Sequence, residues 1–347
     1  MVTGVEFGEA IDRAVGEAME RDDRVVLFGE DVPLLRPALF ARFGGERVRA
    51  APISESAFLG AAVGAAMAGL RPIVEIMLVD FLAVGFSAVL NEMAKVEAFS
   101  GGRWHCPLVV RATCGGGYGD GGQHEQALWG LLGGIPGLAV VVPSTPGDAA
   151  GLMRAAIEDE GPVVFLEHKL LSRLWLDAMG GASRDTVSFD VPAEGATGPV
   201  ASPVEPIPLG RAAIRRGGAD LTITSLGVGV HRSLEAADEI AAAGLEAEVI
   251  DLRGSRPLDG AAVVESVRRT GALLVVDEDY RECGLSGELA AVCAEAGLRF
   301  AYRRVATAGV IPYARHLEDG VLPSADRIVA AALDLRGTTP RRPVPDG

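Results

Sequence analysis

The chain has 347 residues, of which 49% are hydrophobic, and its formal net charge is −15. This length predicts two domains. The acidic excess argues against nucleic acid binding, because no basic stripe is present to neutralise phosphates. The charge fits either solubility alone or attraction to a basic docking domain. We find no membrane-length apolar run, no signal-peptide pattern and no metal-type cysteine spacing, so we expect a cytoplasmic protein without membrane contact.

The first half of the chain alternates apolar strands with helices, which is typical of a parallel sheet covered on both faces. One helix is predicted from Thr145-Pro146-Gly147-Asp148, which supplies an N-cap, a proline in the first turn and an acid. We predict an α/β domain over residues 1–176. Its predicted strands span residues 24–28, 72–78, 107–112, 138–143 and 162–167.

A proline-rich stretch then interrupts this alternation, and residues 177–208 are predicted to form an extended linker. The alternation resumes as a second, smaller α/β domain over residues 209–336. The last residues, 337–347, are predicted to be a disordered tail. The predicted strands of the second domain span residues 221–225, 247–251, 273–277 and 300–305.

An acid stands at the beginning of an otherwise uncharged helix. Glu55 follows a short turn, and residues 56–70 contain no charged side chain and are mostly small. Such a helix must lie in the interior, and its small residues let another backbone approach closely. Charged groups are rarely buried without a partner or a task, so Glu55 is a candidate site residue. The alternative is an acid in the first helical turn, favoured by the helix dipole.

Two further candidates follow predicted strands. His124 ends a glycine loop that begins after Cys114, at the sheet edge where active sites of α/β proteins gather. A histidine side chain can act as either donor or acceptor of a proton near neutral pH. Phe81 follows the strand at 72–78, where the alternative is an ordinary core aromatic.

Residues 117–122 of the glycine loop also match the G-x-G-x-x-G pattern of dinucleotide-binding folds. Such a fold would place an acid near the end of the next strand to bind the ribose hydroxyls. The predicted strand at 138–143 is instead followed by Ser144-Thr145. The sequence therefore argues against nicotinamide binding.

The Pro52–Glu55 turn, the small-residue run 60–75 and the loop ending Gln123-His124 together resemble the beta subunit of thiamine-diphosphate-dependent 2-oxoacid dehydrogenases. Acetoin dehydrogenase beta subunits are similar to the same pattern of motifs. The likeness extends from residues 28–32 to residues 311–313. It implies a parallel-sheet pyrimidine-binding domain and a smaller C-terminal transketolase-like domain.

As a function, the resemblance implies the first component of a complex that oxidatively decarboxylates a 2-oxoacid, pyruvate or branched-chain. The acyl group would pass to a lipoyl group on an acyltransferase core. Two alternatives stay open. One is an acetoin-type enzyme or carboligase that uses the same cofactor, and the other is a non-catalytic assembly subunit.

The resemblance also implies roles for the candidate residues. Glu55 would hydrogen-bond the cofactor's aminopyrimidine and favour the form of its exocyclic amine that deprotonates the thiazolium carbon. Phe81 would stack on the aminopyrimidine, and His124 would reach the substrate oxygen. Glu125 departs from the family pattern, which has serine, so this carboxylate could raise the pKa of His124 or change what the pocket accepts.

The cations and partners follow from the same resemblance. Residues 119–121 imitate the start of the thiamine-enzyme metal motif, which continues with asparagines, but Asn91 is the only asparagine. Magnesium and the diphosphate would therefore be held by an alpha subunit, in a heterotetramer of two alpha and two beta chains. A potassium ion is implied as well, although a plain helix end is an equal alternative. The matching potassium positions are Leu108, Ala156, Ile157, Asp159 and Gly161.

Overall fold

The computed structural model describes residues 4–180 and 191–336. The predicted tail, 337–347, and residues 181–190 of the predicted linker lie outside the described residues. The strands are β1 Val5–Glu6, β2 Val25–Glu30, β3 Val48–Ala51, β4 Arg71–Leu78, β5 Val109–Cys114, β6 Ala139–Val141, β7 Val163–His168, β8 Thr197–Gly198, β9 Ala213–Arg216, β10 Leu221–Ser225, β11 Ala247–Asp251, β12 Gly254–Arg256, β13 Ala272–Tyr280 and β14 Ala301–Thr307.

The helices connect these strands on both sides of the sheets. They are α1 Phe7–Arg21, α2 Val32–Leu35, α3 Pro37–Phe43, α4 Glu55–Met67, α5 Val96–Ser100, α6 Trp129–Gly133, α7 Pro146–Glu158, α8 Arg173–Gly180, α9 Ala193–Ala196, α10 Val228–Ala242, α11 Gly260–Thr270, α12 Leu285–Glu295, α13 Arg315–Glu318 and α14 Ala325–Arg336. Short 3₁₀ turns span Val79–Ala83 and Lys169–Leu171, and a π-helical turn spans Ala88–Met93.

The larger sheet has the strand order β12-β6-β7-β5-β4-β2-β3 within the described residues. All its neighbouring pairs are parallel except β12 with β6. Helices α1 and α7 cover one face of this sheet and α4 covers the other. The central strands are buried on both faces, which explains why the sequence shows them as apolar runs.

The smaller sheet has the order β14-β13-β10-β11-β9, again within the described ranges, and only β9 is antiparallel to its neighbour. The predicted fold class, two α/β domains with mostly parallel sheets, is therefore confirmed. The predicted strands correspond to β2, β4, β5, β6, β7, β10, β11, β13 and β14.

Five short strands were not predicted, and each lies at the edge of a sheet; β1 and β8 pair only with each other within the described residues. In β3 only Val48 is fully buried, while Arg49 and Ala50 are exposed. β9 has no fully buried residue, and β12 has three residues. An edge strand with few buried side chains leaves no apolar run in the sequence.

Several described parts of the predicted linker pack against the first domain. Helix α8 continues into this segment as far as Gly180, and β8 pairs with β1 in antiparallel register. Val204 is buried, and the Ile207 amide donates a hydrogen bond of 3.0 Å to the Gly151 carbonyl. These contacts satisfy backbone groups that a free linker would leave to water.

The two domains share one hydrophobic core. A single buried cluster contains Leu59 and Val74 of the first domain together with Leu273 and Leu289 of the second. The second domain also supplies β12 to the larger sheet. In the part of the chain that the structure describes, no helix is both long enough and apolar enough to cross a membrane.

Helix α7 begins as predicted. The Thr145 hydroxyl accepts a hydrogen bond of 3.3 Å from the Asp148 amide and caps the helix. The Asp148 carboxylate also accepts hydrogen bonds of 2.9 and 2.6 Å from the Arg253 guanidinium. This acid therefore ties the helix to the second domain, in addition to its place in the first turn.

Candidate active site

The candidate residues gather at the carboxyl edge of the larger sheet. Strands β2, β4 and β5 run parallel and end at Glu30, Leu78 and Cys114. The segments that follow these strands and β3 therefore meet at one edge. Because Glu55, Phe81 and His124 lie on three of these segments, the topology brings together residues that are far apart in sequence.

Glu55 is the first residue of α4 and is 8% exposed. Within the described residues its carboxylate has no hydrogen-bond or ion-pair partner. Glu30 lies nearby: burial, together with the charges of Asp31 and Glu55, raises the pKa of the Glu30 carboxyl. The Glu55 carboxyl oxygens are not among the buried, unpartnered polar atoms of the described residues, so this mostly buried residue keeps its acid group accessible at the site. An accessible acid at this edge of the sheet fits a ligand-binding role as well as a simple first-turn acid.

Phe81 and His124 are in direct contact. Their rings meet edge to face, with centroids 5.8 Å apart and planes at 82°. The turn that carries Phe81 is tied to the start of α4, because the Ser56 hydroxyl donates a hydrogen bond of 2.6 Å to the Val84 carbonyl. At Gly85 a Cβ atom would lie 3.1 Å from the Glu55 carbonyl oxygen, so this approach requires glycine. The structure thus places all three predicted residues at one site.

The glycine loop before His124 is packed too closely for side chains. Gly115 has φ +89°, and a Cβ there would overlap the His168 ring. Gly117 has φ +112°, and a Cβ there would lie 2.9 Å from Leu170. The buried ammonium of Lys169 donates a hydrogen bond to the His124 carbonyl. The loop backbone is therefore fixed on the end of β7.

The amides of this loop donate hydrogen bonds to two carboxyl groups. The Glu125 carboxyl accepts hydrogen bonds from the amides of Tyr118 and Gly121, at 2.7 and 3.0 Å. The Glu318 carboxyl accepts from Gly117 and Gly119, at 2.6 and 3.0 Å. A dinucleotide phosphate would need these same donors, so the geometry supports the sequence argument against nicotinamide binding. It also shows that the Glu125 carboxyl binds the loop backbone.

A second group at this edge was not assigned a role from the sequence. The Gln126 amide donates a hydrogen bond of 2.6 Å to Asp80 Oδ1 and accepts one of 3.0 Å from the Tyr280 hydroxyl. Asp80 Oδ2 is buried without a partner among the described residues, and burial raises the pKa of this carboxyl. Asp80 directly precedes Phe81, and this position after a strand was the only signal in the sequence.

The second domain closes the site with Glu278. Its carboxylate lies 2.9 Å from His168 Nε2, 3.2 Å from an Arg232 guanidinium nitrogen and 2.8 Å from the Gly116 amide. Burial disfavours this carboxylate, yet these neighbours lower its pKa to about 2. Glu278 is more than a hundred residues from His168 and Gly116 in the chain. Such pairing leaves no local pattern, so the sequence analysis did not identify Glu278.

The five potassium positions lie at the opposite edge of the sheet, before β5 and at the end of α7. The carbonyls of Ile157 and Asp159 each accept a hydrogen bond of 3.0 Å from the Arg71 guanidinium. The Leu108 carbonyl accepts one of 2.9 Å from Val163. Each carbonyl oxygen has two lone pairs, so an ion here would share these groups with existing donors. Within residues 4–180 and 191–336, no cluster of three or more His, Cys, Asp or Glu could hold a metal.

Comparison with known proteins agrees with this fold. Residues 3–173 match the transketolase pyrimidine-binding domain, and residues 210–328 match the transketolase C-terminal domain. The chain is 37% identical to the 2-oxoisovalerate dehydrogenase beta subunit of Bacillus subtilis, covering 95% of this chain and 98% of that protein. It is 38% identical to the mitochondrial pyruvate dehydrogenase E1 beta subunit of Ascaris suum, covering 94% and 88%.

The chain belongs to the family of 2-oxoacid dehydrogenase E1 beta subunits. The same family includes the acetoin:2,6-dichlorophenolindophenol oxidoreductase beta subunit of Bacillus subtilis, which is 37% identical over 97% of this chain and 98% of that protein. A solved structure described as a split-gene transketolase, an inactive beta4 tetramer, is similar in fold, with a TM-score of 0.77 at 23% identity. It covers 97% of this chain and 100% of that chain. The family predicted from the sequence is confirmed, and the roles of the individual site residues stay predictions.

Proposed function

We propose that this E1 beta-type chain forms, with an alpha subunit, the thiamine-diphosphate-dependent first component of a 2-oxoacid dehydrogenase complex. The substrate would be pyruvate or a branched-chain 2-oxoacid, and the acyl group would pass to a lipoyl acyltransferase core. The observation that supports this proposal most is the gathering of Glu55 and the Phe81–His124 pair at one sheet edge, where the Glu55 carboxylate has no partner among the described residues.

These residues fit one half of the cofactor. The Glu55 carboxylate could accept a hydrogen bond from a ring nitrogen of the aminopyrimidine, which would give this acid a partner that the described residues do not provide. The Phe81 ring is half-buried and could pack on the pyrimidine face. The described residues provide no carboxylate or histidine cluster for magnesium, so we assign magnesium and the diphosphate to the alpha subunit.

When bound, thiamine diphosphate would supply a nucleophilic carbon and an electron sink for the decarboxylation of a 2-oxoacid. Glu55 would hold the proton on the aminopyrimidine. His124 would donate a proton or a hydrogen bond to the substrate oxygen, from a backbone fixed by Lys169. The surrounding segments and the second domain would limit the access of water.

Reconstitution tests the proposal. The chain, co-purified with an alpha-type partner, magnesium and thiamine diphosphate, should reduce an artificial electron acceptor with a 2-oxoacid, and the chain alone should not. Titration calorimetry should show weak cofactor binding by the isolated chain. Tight, magnesium-dependent binding by that chain would contradict the division of the site. Turnover of acetoin without 2-oxoacid turnover would favour the acetoin-type alternative.

We extend the proposal to potassium at Leu108, Ala156, Ile157, Asp159 and Gly161. A ligand at about 100 times its dissociation constant adds about 2.7 kcal/mol to the free energy of unfolding. Thermal melting in potassium chloride should therefore occur several degrees above melting in sodium chloride of equal concentration. Equal melting temperatures in the two salts would show that the carbonyls and Arg71 need no ion.

A further inference from the structure

The loop that carries His124 is held by two fully buried acids from different parts of the chain. Glu125 directly follows the loop, and Glu318 ends α13 of the second domain. Their four carboxyl oxygens accept hydrogen bonds from four amides of one short segment, Gly117, Tyr118, Gly119 and Gly121. The two acids alternate along the segment. Glu318 binds the amides of Gly117 and Gly119, and Glu125 binds those of Tyr118 and Gly121.

The two carboxyls bind interleaved amides of the same short segment, so their charges act on each other. Burial first, and then the Glu318 charge, raise the pKa of Glu125 from its ordinary 4.5 to about 8. Glu125 therefore retains its proton at neutral pH.

Nearby positive charges only partly offset the rise in the pKa of Glu125. The Lys169 ammonium lies 5.0 Å from the centre of the Tyr118 ring and opposes the rise in the pKa of Glu125. On α13, the Arg315 guanidinium lies 3.5 Å from Glu318 Oε2 and is also paired with Asp319. The Tyr118 hydroxyl stays neutral, because burial and then the charge of Glu125 raise its pKa.

We propose that Glu125 and Glu318 are positioning residues, an acid pair that clamps the glycine loop so that His124 stays against Phe81. The inference rests on the proposed function only for what His124 does, since the clamp itself is a property of the chain. Because Glu318 belongs to the second domain, the second domain would help to order the loop that carries His124 in the first domain.

The pair gives the clamp a definite pH dependence. In the closed loop Glu125 keeps its proton up to about pH 8, whereas in an opened, solvated loop it would lose the proton near its ordinary 4.5. Between these values opening releases a proton, so opening becomes more favourable as pH rises. The protection of the loop amides against hydrogen exchange should fall by about tenfold per pH unit and level off above about pH 8.

Hydrogen exchange by the full-length chain, measured from pH 6 to 9 and corrected for intrinsic rates, tests this dependence. In Glu125→Gln the protection of amides 117–121 should lose its dependence on pH, because glutamine cannot release the proton. Exposed Glu239, on α10, offers the matched control, and Glu239→Gln should keep the wild-type slope.

If Glu125→Gln does not fold, as judged by circular dichroism, Glu318→Gln makes the same test from the other domain. Removal of the Glu318 charge should lower the pKa of Glu125 in the closed loop, so protection should level off at a lower pH. A wild-type chain without a pH slope at amides 117–121, or a variant with an unchanged slope, would overturn the proposal. Exchange needs no substrate, so a pH slope in a chain that fails to decarboxylate any 2-oxoacid would leave the clamp standing and contradict the proposed function alone.

Discussion

Replacement of Glu55 by glutamine is expected to slow proton exchange at the thiazolium carbon of bound thiamine diphosphate by about two orders of magnitude or more. This is the range for loss of a positioned proton-transfer group. Glutamine keeps the size of the side chain and can still hydrogen-bond the pyrimidine, but it cannot hold the proton on the ring. Exchange followed by NMR in the reconstituted alpha–beta complex is the direct measurement.

Glu55→Gln should slow thiazolium exchange without lowering the melting temperature of the protein. Glu55 is 8% exposed and has no partner among the described residues, so loss of its charge should not lower the melting temperature. Glu239→Gln again provides the control for a neutralised acid on the surface. An unchanged exchange rate in Glu55→Gln, with the cofactor bound, would rule out the assigned role.

The second large effect is expected at His124. His124→Ala should leave thiazolium exchange nearly intact and lower 2-oxoacid turnover by about two to four orders of magnitude, because a positioned proton donor is lost. The His124 imidazole packs edge to face on Phe81 at this site. Assays with an artificial electron acceptor and with a lipoyl acceptor would locate the step that slows.

A matched variant controls for loss of the ring contact alone. Phe81→Leu removes the edge-to-face pair but leaves the imidazole on its Lys169-anchored backbone, so its turnover should fall much less than that of His124→Ala. Normal turnover by His124→Ala in both assays would show that the residue is structural.

Elements with local causes could be predicted from the sequence. Buried parallel strands are apolar on both faces, so β5 and β7 are visible as runs without any knowledge of their partners. The cap at Thr145 is likewise local. Glu55 and His124 were found because each interrupts a pattern, an acid before an uncharged helix and a histidine after a glycine loop.

What the tertiary structure decided is the pairing of charges. Glu75 and Arg111 lie opposite each other on neighbouring strands. Their ion-pair partners lie elsewhere in the chain: Arg36 donates a hydrogen bond of 2.5 Å to Glu75, and Arg111 donates one of 2.7 Å to Glu167. The sequence shows each of these residues only as a charge inside or beside an apolar run.

The same holds at the active site. The sequence placed His124 at the end of a glycine loop, but only the fold brings Glu318 and Glu278 of the second domain onto that loop. Periodicity records which face of an element is buried, and it depends on near neighbours in the chain. Hydrogen bonds and ion pairs depend on distances in space, which only the packing of the two domains determines.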